Sequence, residues 1–385
     1  MVLVFHKKAK NGSSRQENLH TQALTQHRIF NNPLVITEGW YPVCRSQDVK
    51  RGSVKSQLIC HQRIVIFRGH NNQIKILDAF CPHMGADLGN GKVVENNIEC
   101  YFHRWRFNGE GNLVNVPCLS KTQTTPGSVK LQSYPVEEKF GFIWVYSGQK
   151  APYAVPNPAG LESKELSSIY LGSAFLHVHH HVMMASGIDL QHFSSVHGLD
   201  INFKYQVQQK NASIFDWELE GEMPTNNLKT KFLSSLFGKK VGYVARFAGG
   251  SVVTVTYGPD QRWRGVGKKL PPLHLFWGCV PLSNGLSQVH IFAVTEKRHG
   301  FLGRLSTWFS FILTGLLLIV LRDDDVKAFP NMRFKKGFWV QKDESVAQLI
   351  RMTDELTPSL WSSMDMEFSN GSGKNSDQVS LDANT

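Results

Sequence analysis

Two well separated stretches hold the side chains whose types and spacing could do chemistry. One is Cys81-Pro82-His83 with Cys100-Tyr101-Phe102-His103, and the other is Asp189-Leu190-Gln191-His192-Phe193-Ser194-Ser195-Val196-His197. The first reads C-x-H and then, after residues 84–99, C-x2-H. Two thiolates and two imidazoles in that order suit a two-iron cluster, with a pair of cysteines on one iron and a pair of histidines on the other. The pairs interleave along the chain, so two loops must face each other, each sending one Cys to one iron and one His to the other. Pro82 stiffens the first loop, and Gly85, Gly89 and Gly91 let the backbone turn tightly past the sulfurs. A structural zinc site draws on the same four ligands, but zinc fingers usually pair C-x2-4-C with H-x3-5-H. The ligand order here favours iron and sulfide.

The second stretch suits a different metal chemistry. Iron(II) that activates O2 commonly takes two His and one carboxylate on one face and keeps other positions open. His192 and His197 supply the imidazoles. At about 100° per residue, positions five apart point about 140° away from each other on an ideal helix. The helix must therefore widen to a π-like turn or end between them. Gly187 and Gly198 bracket the stretch and make such irregularity cheap. Asp189 lies on nearly the same helical face as His192.

Cys81-Pro82-His83-Met84-Gly85-Ala86-Asp87-Leu88 with Cys100-Tyr101-Phe102-His103-Arg104-Trp105 resembles the Rieske domain of the non-haem iron oxygenases. The Asp-x2-His-x4-His stretch resembles the mononuclear iron site of the same family. Within it the chain looks most like the 3-ketosteroid 9α-hydroxylase oxygenase and, more distantly, the cholesterol 7-desaturases, over residues 38–345. The resemblance implies a [2Fe–2S] cluster on Cys81, His83, Cys100 and His103, and a mononuclear Fe(II) on His192, His197 and a downstream carboxylate. Arg322-Asp323-Asp324-Asp325-Val326-Lys327-Ala328-Phe329 resembles the family's closing acidic helix. Matching Val326 and Phe329 to its apolar positions makes Asp325 the third ligand, with Asp324 the second choice.

The same resemblance implies that Asp189 is not a ligand. It would bridge His192 to His103 of a neighbouring subunit within a homotrimer. Ser186 stands where the family often has Asn, which touches that surrounding contact and leaves the ligand set intact. Electrons would come from a ferredoxin or a ferredoxin reductase, and indirectly from NAD(P)H. The implied reaction inserts oxygen from O2 into a lipophilic, sterol-like or polycyclic substrate. Hydroxylation, desaturation and demethylation are not separated, because the same iron–oxygen species begins each. The alternative is a Rieske electron-transfer protein without oxygenase chemistry, which leaves His192, His197 and Asp325 unexplained.

The elements that must position these groups read as α+β. The 385 residues are enough for two cores, and 41% hydrophobic with 19% charged residues is ordinary for a globular protein. Residues 1–37 are polar and predict a disordered arm, and 366–385 a disordered tail. Residues 38–150 predict an all-β cluster domain from short β-branched runs such as Ile64-Val65-Ile66-Phe67 and Ile74-Lys75-Ile76-Leu77. Pro152, Pro156 and Pro158 mark the linker. Residues 151–365 predict a catalytic domain, an antiparallel sheet flanked by helices in a helix-grip arrangement, with strand character at 213–219, 241–248, 251–257, 273–280 and 288–295.

Ala174 to His181 also reads as a strand, with His177, His179 and His181 on one face as ordinary neutral histidines. Leu305 to Leu321 carries no charge. A true membrane span would hold the ligands on either side of it about 30 Å apart, so it reads as a buried helix, with a helix lying in the membrane surface as the alternative. Of the six cysteines, Cys44, Cys60, Cys118 and Cys279 show no disulfide-like spacing, which fits a reducing, cytoplasmic setting. The net charge of +11 suits an acidic electron donor. The basic residues are spread rather than gathered in a stripe, which disfavours nucleic acid.

Overall fold

A computed structural model describes residues 28–119, 127–225, 230–231, 234, 238–258, 271–282, 285–329, 332–335 and 337–362. The first half builds three small antiparallel sheets. β1 (Trp40–Arg45), β10 (Val136–Lys139) and β11 (Phe142–Tyr146) form one, in the order β1-β11-β10. β2 (Val54–Ile59), β3 (Gln62–Arg68), β4 (Ile74–Asp78) and β9 (Ser133–Tyr134) form the second. β5 (Lys92–Val94), β6 (Asn97–Glu99), β7 (Arg106–Phe107) and β8 (Leu113–Asn115) form the third. The unbroken apolar run of β3 follows from its place between two cores. Ile64 and Ile66 join one cluster while Val65 and Phe67, on the opposite face, join another.

The second half is one seven-stranded antiparallel sheet, in the order β12-β18-β17-β16-β15-β14-β13. Its strands are β12 (Leu166–Leu176), β13 (Lys204–Asn211), β14 (Ile214–Glu222), β15 (Lys240–Ala248), β16 (Val252–Tyr257), β17 (Leu273–Pro281) and β18 (Ser287–Glu296). Helices α1 (His180–Ser186), α2 (Leu190–Ser195), α3 (Gly300–Ala328) and α4 (Glu344–Asp354) complete it. The fold is thus α+β. Alternate residues of the central strands serve two different cores. Val253, Val255, Cys279 and Val289 pack with α1, α2 and α4, while Val252, Phe276, Phe292 and Val294 pack with Trp40, Phe142 and Trp144 of the first domain. Trp144 meets Phe276 edge-on at 5.5 Å, and Phe142 meets Phe292 likewise at 5.0 Å. The linker is tied down by buried Arg246, which donates to both oxygens of Asp216 and to Glu162 and the Asn157 carbonyl.

Three expectations are corrected. Residues 28–37 are not an arm: Ile29 and Phe30 are fully buried against α1 and α4, and their backbone N–H groups donate to Asp354. The rest of the expected arm and the tail lie outside the described residues. The strand read from Ala174 to His181 ends at Leu176. His179 then caps α1, because an imidazole nitrogen there accepts the His181 N–H that a helix start leaves open.

The third correction concerns α3. It is not a buried helix, since only 11% of its most apolar window is buried. Its inner side, against β12, β17 and β18, is built from small polar residues such as Ser310 and Thr314. Each satisfies its hydroxyl on the carbonyl four residues back. Its exposed outer side carries large apolar side chains such as Phe301, Leu305, Trp308 and Leu316, while Leu313 and Leu317 are half-buried. The six cysteines are all unpaired thiols.

Candidate metal centres

The cluster loops are near-copies of each other. Cys81 N–H donates to the Ala86 carbonyl and Cys100 N–H to the Trp105 carbonyl; Gly85 N–H returns to Cys81 and Arg104 N–H to Cys100. Each loop closes on a residue of positive φ, Gly85 at 73° and Arg104 at 59°. A glycine takes that conformation freely, and Arg104 is held there by Glu99. At Gly91 the need is close approach: a Cβ would stand 2.2 Å from the Glu99 carbonyl and push the two loops apart.

The four side chains converge as two pairs. Cys81 and Cys100 are both 2% exposed and face each other; burial pushes the Cys81 thiol up to about 11, with Cys100 adding to the rise against the His83 and Met84 amides. Two thiols so placed are relieved only by a cation that lets both become thiolates. The His83 and His103 rings lie 4.6 Å apart at the exposed tip. Paired sulfurs inside and paired imidazoles outside fit a [2Fe–2S] cluster with mixed ligands.

Support comes from residues with no role legible in the linear motif. Trp105 stacks on His83 at 4.3 Å, nearly parallel, and fixes the ring plane. Buried Glu99 receives Arg106 at 2.6 Å and lies within reach of Arg104 and Lys92. Burial raises its carboxyl, and these cations outweigh that and hold it low. Asp87 accepts from Arg63 at 2.7 Å and from the Gly89 amide. Trp105 and Asp87 stood inside the motif, whereas Glu99 had only its place beside Cys100 as a signal.

In the second domain, His192 and His197 resolve their spacing by the helix ending between them. α2 stops at Ser195, the Val196 amide still reaches the His192 carbonyl, and Gly198 takes φ of 65°. Their rings stand 4.8 Å apart and perpendicular. Asp325, three residues before the end of α3, brings Oδ1 to 2.8 Å from His192 Nε2 and 3.5 Å from His197 Nε2. All three ligand atoms lie within 4.8 Å of one another. Despite the short separation, Oδ1 of Asp325 has no hydrogen bond of acceptable geometry. Lone pairs that crowd without a proton between them are what a shared cation would draw together, so this donor set fits iron(II). The side chains of Asp323 and Asp324 lie outside the described residues.

Asp189 is the N-cap of α2. Its Oδ1 accepts from the Gln191 amide at 2.9 Å and the His192 amide at 3.2 Å. It therefore grips the backbone of His192 rather than its ring. The preceding turn is fixed by Tyr243, which donates to the Gly187 carbonyl at 2.6 Å, and by Ser345, which donates to that of Ile188 at 2.7 Å. Tyr257, cross-strand from Tyr243, has its hydroxyl pushed up by burial and by the Asp325 charge. Neither tyrosine carried a sequence signal, since only the register of β15 and β16 brings them to the site.

His179, His180 and His181 form a second compact group, with donor atoms within 4.8 Å and all three buried. Nδ1 of His179 accepts the His181 amide and Nδ1 of His181 accepts the Asn31 amide. In neutral rings so bonded the proton sits on Nε2, which leaves no lone pair there for a metal. Burial holds all three neutral. The bonds of His179 and His181 thus join the N-terminal segment to α1.

A family model for the Rieske [2Fe-2S] domain matches residues 39–135. Cholesterol 7-desaturase nvd 1 of Ciona intestinalis is 33% identical over 171 residues, 43% of this chain and 35% of that protein. The chain spans less than half the length of the cholesterol 7-desaturases it matches. Among solved structures, dicamba monooxygenase bound to dicamba superposes with a TM-score of 0.52 at 17% identity, covering 82% of this chain and 96% of that one. A fluorene-bound oxygenase–ferredoxin complex of carbazole 1,9a-dioxygenase gives 0.58 at 14% identity, covering 86% and 93%. Likeness at that identity carries the fold.

Proposed function

We propose that this chain, which joins a Rieske [2Fe–2S] domain to the fold of the Rieske oxygenases, is a terminal oxygenase that oxidises a lipophilic substrate with O2. The observation that carries the reading is the convergence of His192, His197 and Asp325 in a chain that also holds a complete pair of cluster loops. When bound, the cluster and iron(II) would supply electron transfer and O2 activation. The chain's own contribution is placement. The end of α2 separates the two imidazoles, α3 delivers the carboxylate from the opposite side, and Asp189 with Tyr243 fixes the turn that carries His192.

A sterol-like or polycyclic substrate is supported by the match to the cholesterol 7-desaturases. A ferredoxin or ferredoxin reductase as electron donor, fed by NAD(P)H, is supported by the neighbour solved with a ferredoxin and by the exposed cluster tip. There Phe80, Met84, Tyr101 and Phe102, each about half exposed or more, ring His83 and His103. The homotrimer belongs to the same reading, because it would set the exposed His103 of one copy beside Asp189 of the next.

The test is a single turnover. Reduced protein loaded with iron is mixed with O2 and a sterol or polycyclic candidate, and cluster oxidation and product are followed together. Oxidation coupled to product supports an oxygenase. Oxidation without product across such substrates, in protein holding the mononuclear iron, would leave only an electron carrier.

A further inference from the structure

Among the described residues, the outer side of α3 is a long surface whose polarity runs against burial. Phe301, Leu302, Leu305, Trp308, Phe309, Ile312, Leu316 and Ile319 are all exposed, from 38% for Ile312 to 80% for Phe301. At about 100° per residue they fall within an arc about 120° wide. At 1.5 Å per residue the stripe runs about 27 Å. The opposite side, which touches the sheet, is made of Gly303, Ser306, Ser310 and Thr314. A helix that lays small polar residues on its own protein and turns aromatic and branched residues outward is inside-out for water.

Crossing a bilayer is excluded by the site itself, because α3 carries Asp325 near its end, beside His192, and rests along β12, β17 and β18. The charges choose the partner. From Lys297 to Arg322 the chain contains Lys297, Arg298, Arg304 and Arg322 and no acidic residue. Lys297 pairs with Glu165 and Arg298 with Ser306, while Arg304 is exposed at the edge of the stripe. A second copy laid on this stripe would offer Arg304 no carboxylate from its own stripe. Anionic headgroups would supply the counter-charge and the acyl boundary would take the apolar arc.

We propose that α3 lies in the plane of an anionic membrane surface, its Phe301–Ile319 face immersed and its far end carrying Asp325 to the metal site. The purpose of the contact rests on the lipophilic-substrate reading: a poorly soluble substrate would enter from the lipid side. The contact itself is read without substrate, so its failure and that of the oxygenase reading are separable.

The experiment is flotation of the purified full chain with vesicles of phosphatidylcholine containing phosphatidylglycerol, against phosphatidylcholine alone. The expected result is co-flotation with the anionic vesicles, weakened by salt, with Trp308 fluorescence quenched by brominated lipid. Trp308→Ser with Phe309→Ser should reduce flotation about tenfold, and Arg298→Glu with Arg304→Glu should remove the preference for anionic lipid. Trp308, Phe309 and Arg304 are exposed and Arg298 is half-buried against Ser306; retained cluster absorbance with an unchanged melting curve shows that both variants fold. No flotation of folded, coloured wild-type protein overturns the proposal. So does an apolar-face variant that floats as before but loses a concentration-dependent oligomer, which would make the stripe a contact between copies.

Discussion

Asp325 and His192 approach to 2.8 Å, Oδ1 to Nε2, without a hydrogen bond of acceptable geometry between them. The two side chains arrive from opposite ends of the catalytic domain, one on the short helix before the sheet and one at the end of the long helix after it. Such a contact is costly unless a third party sits between the lone pairs. It supports Asp325, rather than an exposed acid, as the proposed third ligand.

Asp325→Ala should therefore lower the iron content by one per chain and abolish turnover while leaving the visible spectrum of the cluster intact. Asp324→Ala should do neither. Iron analysis beside absorbance on the same preparations decides it. Loss of mononuclear iron in Asp324→Ala alone would move the ligand one residue along α3.

The two centres should be separable from the other side as well. Cys100→Ser should bleach the protein, because a buried thiol pair is replaced by one thiol and a hydroxyl, while His192→Ala should keep the colour and lose one iron. Wild-type protein should carry close to three irons per chain, two of them in the cluster. Colourless protein with stoichiometric zinc would remove the Rieske assignment.

How far the sequence led depends on the kind of interaction. Cys81, His83, Cys100 and His103 were legible because ligand order is a one-dimensional property, and the central strands because their apolar runs are unbroken. The β12 and β13 edges were not. β13 offers only Tyr205 and Val207 to the core and is otherwise polar at the sheet margin, and the histidines beyond β12 imitate a strand while capping a helix. Burial of Ile29 and Phe30 was hidden because two apolar residues inside a polar segment say nothing until α4 is placed beside them. The α3 helix misled for the opposite reason: an uncharged run promises a core, and composition does not say which face looks outward. Glu99, Tyr243 and Tyr257 act through pairings set by sheet register, which a linear reading does not contain.

The catalytic sheet should weaken in mild acid. His274, bonded to Thr256, and His290, bonded to Tyr170, are both pushed down to about 4, first by burial. Glu162 opposes the shift at His274, and Arg45 adds to it at His290. The unfolded chain binds protons at these rings near pH 6.5 and the folded one does not, so their stabilising effect is complete above pH 6.5 and is lost as pH falls toward 4. At pH 5 each would cost about 2 kcal/mol. The melting temperature should drop by about 5 °C between pH 7.5 and pH 5, and His274→Gln should flatten that dependence. A melting temperature unchanged over this range would show that the two rings take up protons without loss of packing.

Asp189 offers the sharpest separation of roles. Its carboxylate caps α2 through the Gln191 and His192 amides, and a cap alone contributes about 1 kcal/mol. Asn caps as well as Asp, so Asp189→Asn keeps the helix start and removes only the charge. Asp189→Ala removes both and should lower stability by about that amount. If Asp189 is a cap and nothing more, the Asn variant should reoxidise its reduced cluster at the wild-type rate when mixed with O2 and substrate. If it also links His192 to the exposed His103 of a neighbouring copy, the Asn variant should bind a full complement of iron, melt like wild type, and reoxidise its cluster at least about a hundredfold more slowly. The same route requires an assembled ring, so a monomer isolated by dilution should be equally slow. A monomer that oxidises substrate at full rate would confine Asp189 to its cap.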